Sequence, residues 1–237
     1  MKFGCLPGSI PVGLKELGYY MPGPLPKPPA KVDIPSVSSW GMDGNDIWGD
    51  CGVAGINHYF MADASIADVS EAFPQDQQIV DYYLTYTGGA DSGVVLSDFL
   101  SYVKAKGFCG HTVAAYAPVA VHDVPTLQFS VNAYGAAYTG IQVTSAMMTK
   151  VQASPPWIWT AADTQGPVEG GHCIPVVAYD DTYLYAVTWG QVVAISYPAW
   201  HHMSTEAWAI LTGEFKDGDS RGINLAALQA DLKKVAR

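Results

Sequence analysis

Charge is scarce in this chain. Lys, Arg, Asp and Glu make up 14% of the 237 residues, against about 25% in an average soluble chain. The 12 basic residues form no run, so the electrostatic footprint that nucleic acid or an anionic lipid surface requires is missing. The partner expectation is therefore no nucleic acid and no membrane. The four cysteines, Cys5, Cys51, Cys109 and Cys173, contain no CxxC pair, and their spacing fits neither a zinc ribbon nor a small disulfide scaffold. The opening stretch MKFGCLPGSIPVGLKELGYY lacks the apolar h-region of a signal peptide. No uninterrupted apolar run reaches the ~18 residues of a membrane span. These absences predict a soluble, cytoplasmic chain with free thiols. What is present is apolar: 49% hydrophobic and 12% aromatic residues, which excludes disorder as a description of the whole and supplies a sizeable core. The net charge of −10 bears on solubility rather than on fold.

Residues 1–31 read as a Pro/Gly-rich arm, with Pro22, Pro24, Pro26, Pro28 and Pro29 in one short stretch. Such spacing favours an extended, polyproline-like segment laid over a domain surface, and it offers a face to a protein partner. Residues 32–237 read as a single domain, with a helical lobe over about 45–135, a β-rich lobe over about 136–215 and a C-terminal helix over 224–236. Helices are predicted for Cys51–Ala64, for Pro74–Tyr86 ahead of Gly88-Gly89, for the i, i+3, i+4, i+7 set Leu96, Phe99, Leu100 and Val103, and for Val124–Tyr134. Short β-branched or aromatic runs at Tyr138–Thr144, Ile174–Tyr179, Thr182–Thr188, Gln191–Tyr197 and Ala207–Leu211 read as strands. Helices followed by strands argue an α+β fold of two lobes with a cleft between them.

Three residues stand out for chemistry. Cys51 follows a Gly-Asp turn where a helix should start, and the partial positive charge there favours the nucleophilic thiolate. A buried structural cysteine is the alternative. His172 sits in Gly170-Gly171-His172-Cys173 at the entry of a strand, placed to take a thiol proton and return it to a leaving group; an ordinary loop histidine is the alternative. Asn45 lies six residues before Cys51, where its amide and the Cys51 N–H together would hold an oxyanion. Taken alone it is a turn residue.

In order, these residues resemble the papain-like cysteine hydrolases, whose pattern runs Gln-x5-Cys at the central helix, Gly-His entering the strand region, then Asn-Ser-Trp-Gly. The corresponding stretches are Asn45-x5-Cys51 in NDIWGDC, Gly171-His172 ahead of VVAYD, and Thr188-Trp189-Gly190, while Val32-Asp33 matches the VDW that precedes the papain catalytic loop. The chain is more closely similar to a set of phage and bacterial papain-fold proteins carrying NDxxGDC, GGH and TWG boxes and a terminal LAALQADL, over roughly residues 30–236. The resemblance implies a two-lobed papain-like fold, helical half first and an antiparallel β-rich half second, with the active site in the cleft between. It implies Cys51 as nucleophile, His172 as base and then acid, Asn45 with the Cys51 N–H as oxyanion donors, and Thr188 orienting the histidine. Trp189 would shield that contact, and Trp189, Trp48 and Gly171 would bind substrate.

Two departures stand beside the match. Asn45 is one methylene shorter than the family Gln. The orienting Asn is replaced by Thr188, sixteen residues after His172, or by Val187 if Trp189 is taken as the anchor. About 50 residues precede Cys51, too few for the inhibitory proregion of secreted papain-like zymogens. The functional expectation is hydrolysis of a peptide or amide bond through a thioester, with no cofactor and no metal. Two other readings stay open: a non-catalytic binding or structural protein, conceivably of a phage particle, and acyl transfer or transpeptidation by the same Cys-His chemistry. Virion association accompanies the former.

Overall fold

A computed structural model describes residues 1–67, 73–213 and 222–235. Its elements run β1 Cys5–Leu6, α1 Cys51–Ile66, α2 Asp76–Thr87, β2 Val94–Val95, α3 Leu96–Lys106, β3 Val113–Val119, α4 Val124–Tyr134 and β4 Ala137–Thr144. There follow α5 Ser145–Val151, β5 Trp157–Trp159, β6 Val168–Tyr179, β7 Tyr183–Thr188, β8 Gln191–Ser196, α6 Tyr197–Met203, β9 Ser204–Thr212 and α7 Leu225–Val235. The expected β-rich stretch to 215 and helix to 236 end on residues outside the described ones. The predicted α+β class holds, with helices preceding a large, mostly antiparallel sheet.

Helix α1 explains itself from its composition. Every residue from Cys51 to Ala64 is buried, so the helix needs no solvent-facing polar stripe, and it carries its polar side chains Asn57, His58 and Asp63 inside. It packs on β4 and β6, where Gly52 and Gly55 let Tyr138 and Cys173 come close: a Cβ at Gly55 would lie 3.0 Å from the Cys173 sulfur. Helix α2 stops at Gly88 with φ +68°, the left-handed C-terminal position that glycine tolerates best. Helix α4 starts as capping rules require, the Asp123 side chain accepting the Thr126 N–H at 3.3 Å with a proline in the first turn.

The seven-stranded sheet has the order β3-β9-β4-β6-β7-β8-β5, with all pairs antiparallel except β5–β8. The strand reading missed β3, whose run VAAYAPV is rich in alanine and carries Pro118; it lies at the sheet edge, where a missing N–H is tolerated. It also began β6 six residues late. Gly170 and Gly171 look like turn residues in sequence, yet they pair with Val143 and Gln142 of β4. The short helices α5 and α6 were not foreseen, because a single turn or two capped by Thr144 or Ser196 leaves little periodicity to read.

The Pro-rich arm winds around this body. It buries Leu14, Leu17 and Tyr20, and the Tyr20 hydroxyl donates to Asp231 of α7 at 3.1 Å. Farther on, Val32 bridges Tyr179 at the end of β6. Its first residues take another course, as β1 pairs in parallel with β2, Cys5 opposite Val94 and Leu6 opposite Val95.

Candidate active site

The loop ahead of α1 is held by polar bonds rather than by apolar packing alone. Asp43 sits in the left-handed region at φ 57°, flanked by Gly41 at 73° and Gly44 at 85°. Its carboxylate accepts from the Asn57 side chain at 2.9 Å and lies 3.1 Å from His58 Nε2. His58 Nε2 makes no hydrogen bond of good geometry there. Both partners stand on α1, so this buried carboxylate ties the loop to the helix that carries Cys51. The Asn45 amide donates to the Trp48 carbonyl at 3.1 Å and to Asp50 at 3.0 Å, which engages both of its hydrogens within the loop.

Asp50 immediately precedes the nucleophile candidate and is fully buried. Burial pushes its carboxyl from 3.8 up to about 8, against the opposing pull of the Asn45 bond. The sign for stability follows directly. Between pH 3.8 and about 8 the folded chain keeps a proton that the unfolded chain has lost, so stability falls as pH rises through that window. Asp50→Asn removes the titration, and its melting temperature should lose that part of the pH slope while wild type keeps it. Parallel melting curves for the two chains across that range would contradict the assignment.

The opposite wall is the β6–β7–β8 ribbon. His172 is fixed in mid-sheet, opposite Ile141 of β4, and its Nε2 shares a 2.7 Å hydrogen bond with Thr188 Oγ1. Val187 lines the same space but has no polar atom to offer. Thr188 pairs with Gln191 across a two-residue turn, Trp189-Gly190, whose φ values of 46° and 71° are both positive. A hairpin turn of this kind suits the sheet twist, but a tryptophan rarely takes its first position. The position is held by stacking: the Trp189 ring lies parallel to His172, centroids 4.2 Å apart.

Cys51 and His172 meet in one cavity of about 10 Å³, together with Asn45, His58, Thr188 and Trp189. That is room for about one water molecule. The Cys51 sulfur accepts the Cys173 N–H at 3.4 Å, while His172 Nδ1 is buried without a hydrogen-bond partner, so thiol and imidazole are not bonded to each other. Burial pushes the thiol up to about 12 despite nearby backbone N–H groups, and burial first, then His58, lowers His172 to about 3. The helix-start effect read from the sequence is outweighed here by loss of water. Both groups rest neutral.

The beginning of the chain adds to this cover. The Phe3 ring stands edge-on to His172 and Trp189, at 6.0 and 6.1 Å. Gly171 lies beneath the Cys5 carbonyl, and Trp48 is half-buried outside the cavity, its backbone carbonyl held by Asn45. All four cysteines are free thiols. Sequence reasoning missed the Asp43–His58 pair and the Phe3–Leu6 segment. His58 stands seven residues, two helical turns, after Cys51, and that spacing was a usable signal; a lone Gly4 gives none.

No protein-family profile matches the chain, and no curated protein sequence does. Solved structures do. Xylellain, a cysteine protease from Xylella fastidiosa, is 16% identical with a TM-score of 0.68, over 88% of this chain and 95% of that one. The Amb a 11 cysteine protease of ragweed pollen, in its proform, is 15% identical with a TM-score of 0.60, over 91% and 68%. Digestive procathepsin L 3 of Tenebrio molitor larval midgut is 16% identical with a TM-score of 0.56, over 84% and 74%. At such identities the likeness speaks for architecture, since one fold serves many functions. The fold of this chain is that of the papain-like cysteine proteases.

Proposed function

We propose that the chain is a thiol peptidase or amidase. Cys51 attacks the carbonyl carbon, His172 takes the thiol proton and then protonates the leaving amine, and water releases the thioester. Thr188 holds the imidazole in orientation and Trp189 covers that bond. Asn45 and the Cys51 N–H receive the oxyanion, for which Asn45 must give up one of its two loop bonds. Gly171, Trp189 and Trp48 face the substrate chain. The observation that carries this reading is the cavity shared by a helix-start thiol and an imidazole whose Nε2 is bonded to Thr188 at 2.7 Å. The NDIWGDC, GGH, TWG and LAALQADL boxes are taken as marks of a phage or bacterial branch of the fold, with a cytoplasmic or virion-associated place of action.

One observation favours a second reading, a non-catalytic binding or structural protein. In the folded chain His172 Nδ1 is unpartnered, and both Asn45 hydrogens are spent. A peptide pool incubated with the chain and read by mass spectrometry separates the two. Cleavage products that accumulate with time support the peptidase. A folded chain with a reactive Cys51 and no products would leave the binding role.

A further inference from the structure

Leu6, Ile10 and Val12 of the arm are 41%, 46% and 99% exposed. Large apolar side chains gathered on one open stretch mark a surface that meets another molecule. The backbone between them is free as well. Residues 7–11 run without turn or bend. Among the described residues the N–H groups of Gly8, Ser9 and Ile10 donate to nothing, and the carbonyls of residues 7–10 accept nothing. Such a stretch is a template on which another extended chain can pair. Pro7 and Pro11 have no N–H to offer, so they confine that pairing to a short register.

The same stretch forms one wall of a groove of about 840 Å³, whose other walls come from α3 and the last residues of α7. Its volume is that of a ligand cleft, and it shares no lining residue with the Cys51 cavity. Three of the chain's 12 basic residues, Lys104, Lys106 and Lys233, line it. None of the three makes an ion pair among the described residues. Asp98 is the one carboxylate in the lining. On a chain of net charge −10 the groove is thus a local reversal of sign, and a field of that sign draws an acidic partner. Tyr86 and Tyr102, edge-on with ring centroids 4.9 Å apart, add two half-buried aromatic surfaces.

We propose that the groove between residues 7–11, α3 and the end of α7 is a docking site for an extended acidic peptide segment of a partner protein. The segment pairs along the arm backbone and sets its carboxylates against Lys104, Lys106 and Lys233. A small anion would use the lysines and leave the free backbone and the exposed apolar side chains idle; an acidic peptide uses all three. The protein partner expected from the arm is thereby placed ahead of the proline run rather than on it. Neither Cys51 nor His172 takes part, so the site serves a peptidase and a binding protein alike.

The test is a titration by fluorescence anisotropy. The full-length chain carrying Cys51→Ala, which lacks the candidate nucleophile, is added to a fluorescein-labelled hexapeptide of alternating Glu and Val. In an extended chain that alternation puts the carboxylates on one face. The probe should bind at least about tenfold more tightly than the same peptide with Gln in place of Glu, and adding Lys104→Gln and Lys233→Gln should abolish that advantage. N-methylation of every peptide bond in the probe keeps its charge but removes its donors, and should weaken it at least about fivefold. Equal affinity for the Glu and Gln peptides, or a Glu peptide indifferent to the two lysines, would overturn the docking site. Full affinity in the N-methylated probe, or displacement by an equal concentration of free glutamate, would mean a site for small anions and would overturn it as well.

Discussion

Cys51→Ala is expected to lower peptide cleavage by at least about 10⁴-fold. The loss belongs to chemistry and not to folding. The side chain is small, its sulfur accepts one long bond from the Cys173 N–H, and its removal should cost no more than about 1 kcal/mol of stability. His172→Ala should fall to a similar floor. The double variant should be scarcely worse than either, because groups that act as one unit do not contribute additively. Retained cleavage in Cys51→Ala, with the same products and the same rate, would mean that another nucleophile does the work.

The second large effect is on stability. Asp43→Ala should cost about 3 kcal/mol or more in urea unfolding. The carboxylate is buried, accepts from Asn57 and lies 3.1 Å from His58, so its removal leaves the Asn57 amide without its acceptor and a void beside His58. Backbone strain adds to this, since alanine is less at ease than aspartate at φ 57°. Asp43→Asn keeps the shape and one acceptor and should recover part of the loss. A change under about 1 kcal/mol for Asp43→Ala would show that the loop is held by other means.

The parts of the site legible in the sequence are those fixed by local rules. A Gly-Asp turn before an apolar run marked the start of α1 at Cys51. Counting along two strands joined by a tight turn gave Thr188 a place beside His172, because a hairpin's register follows from its loop length. What could not be read depends on contacts between distant parts of the chain. Gly4 meets Gly49 and Gly93 only after folding, and in sequence each is one glycine among 24. The edge strand β3 hid behind alanines and a proline. The resting protonation of Cys51 was misjudged for the same reason: a helix start is visible in sequence, whereas the depth at which it is buried is set by the whole fold.

The burial of Cys51 also bears on how the chain would age. Peroxides attack thiolates that they can reach, and the first product, a sulfenic acid, proceeds irreversibly once oxidation continues. A thiol 1% exposed and held protonated offers neither the ion nor the path. The narrow cleft thus acts as packaging around its most perishable atom.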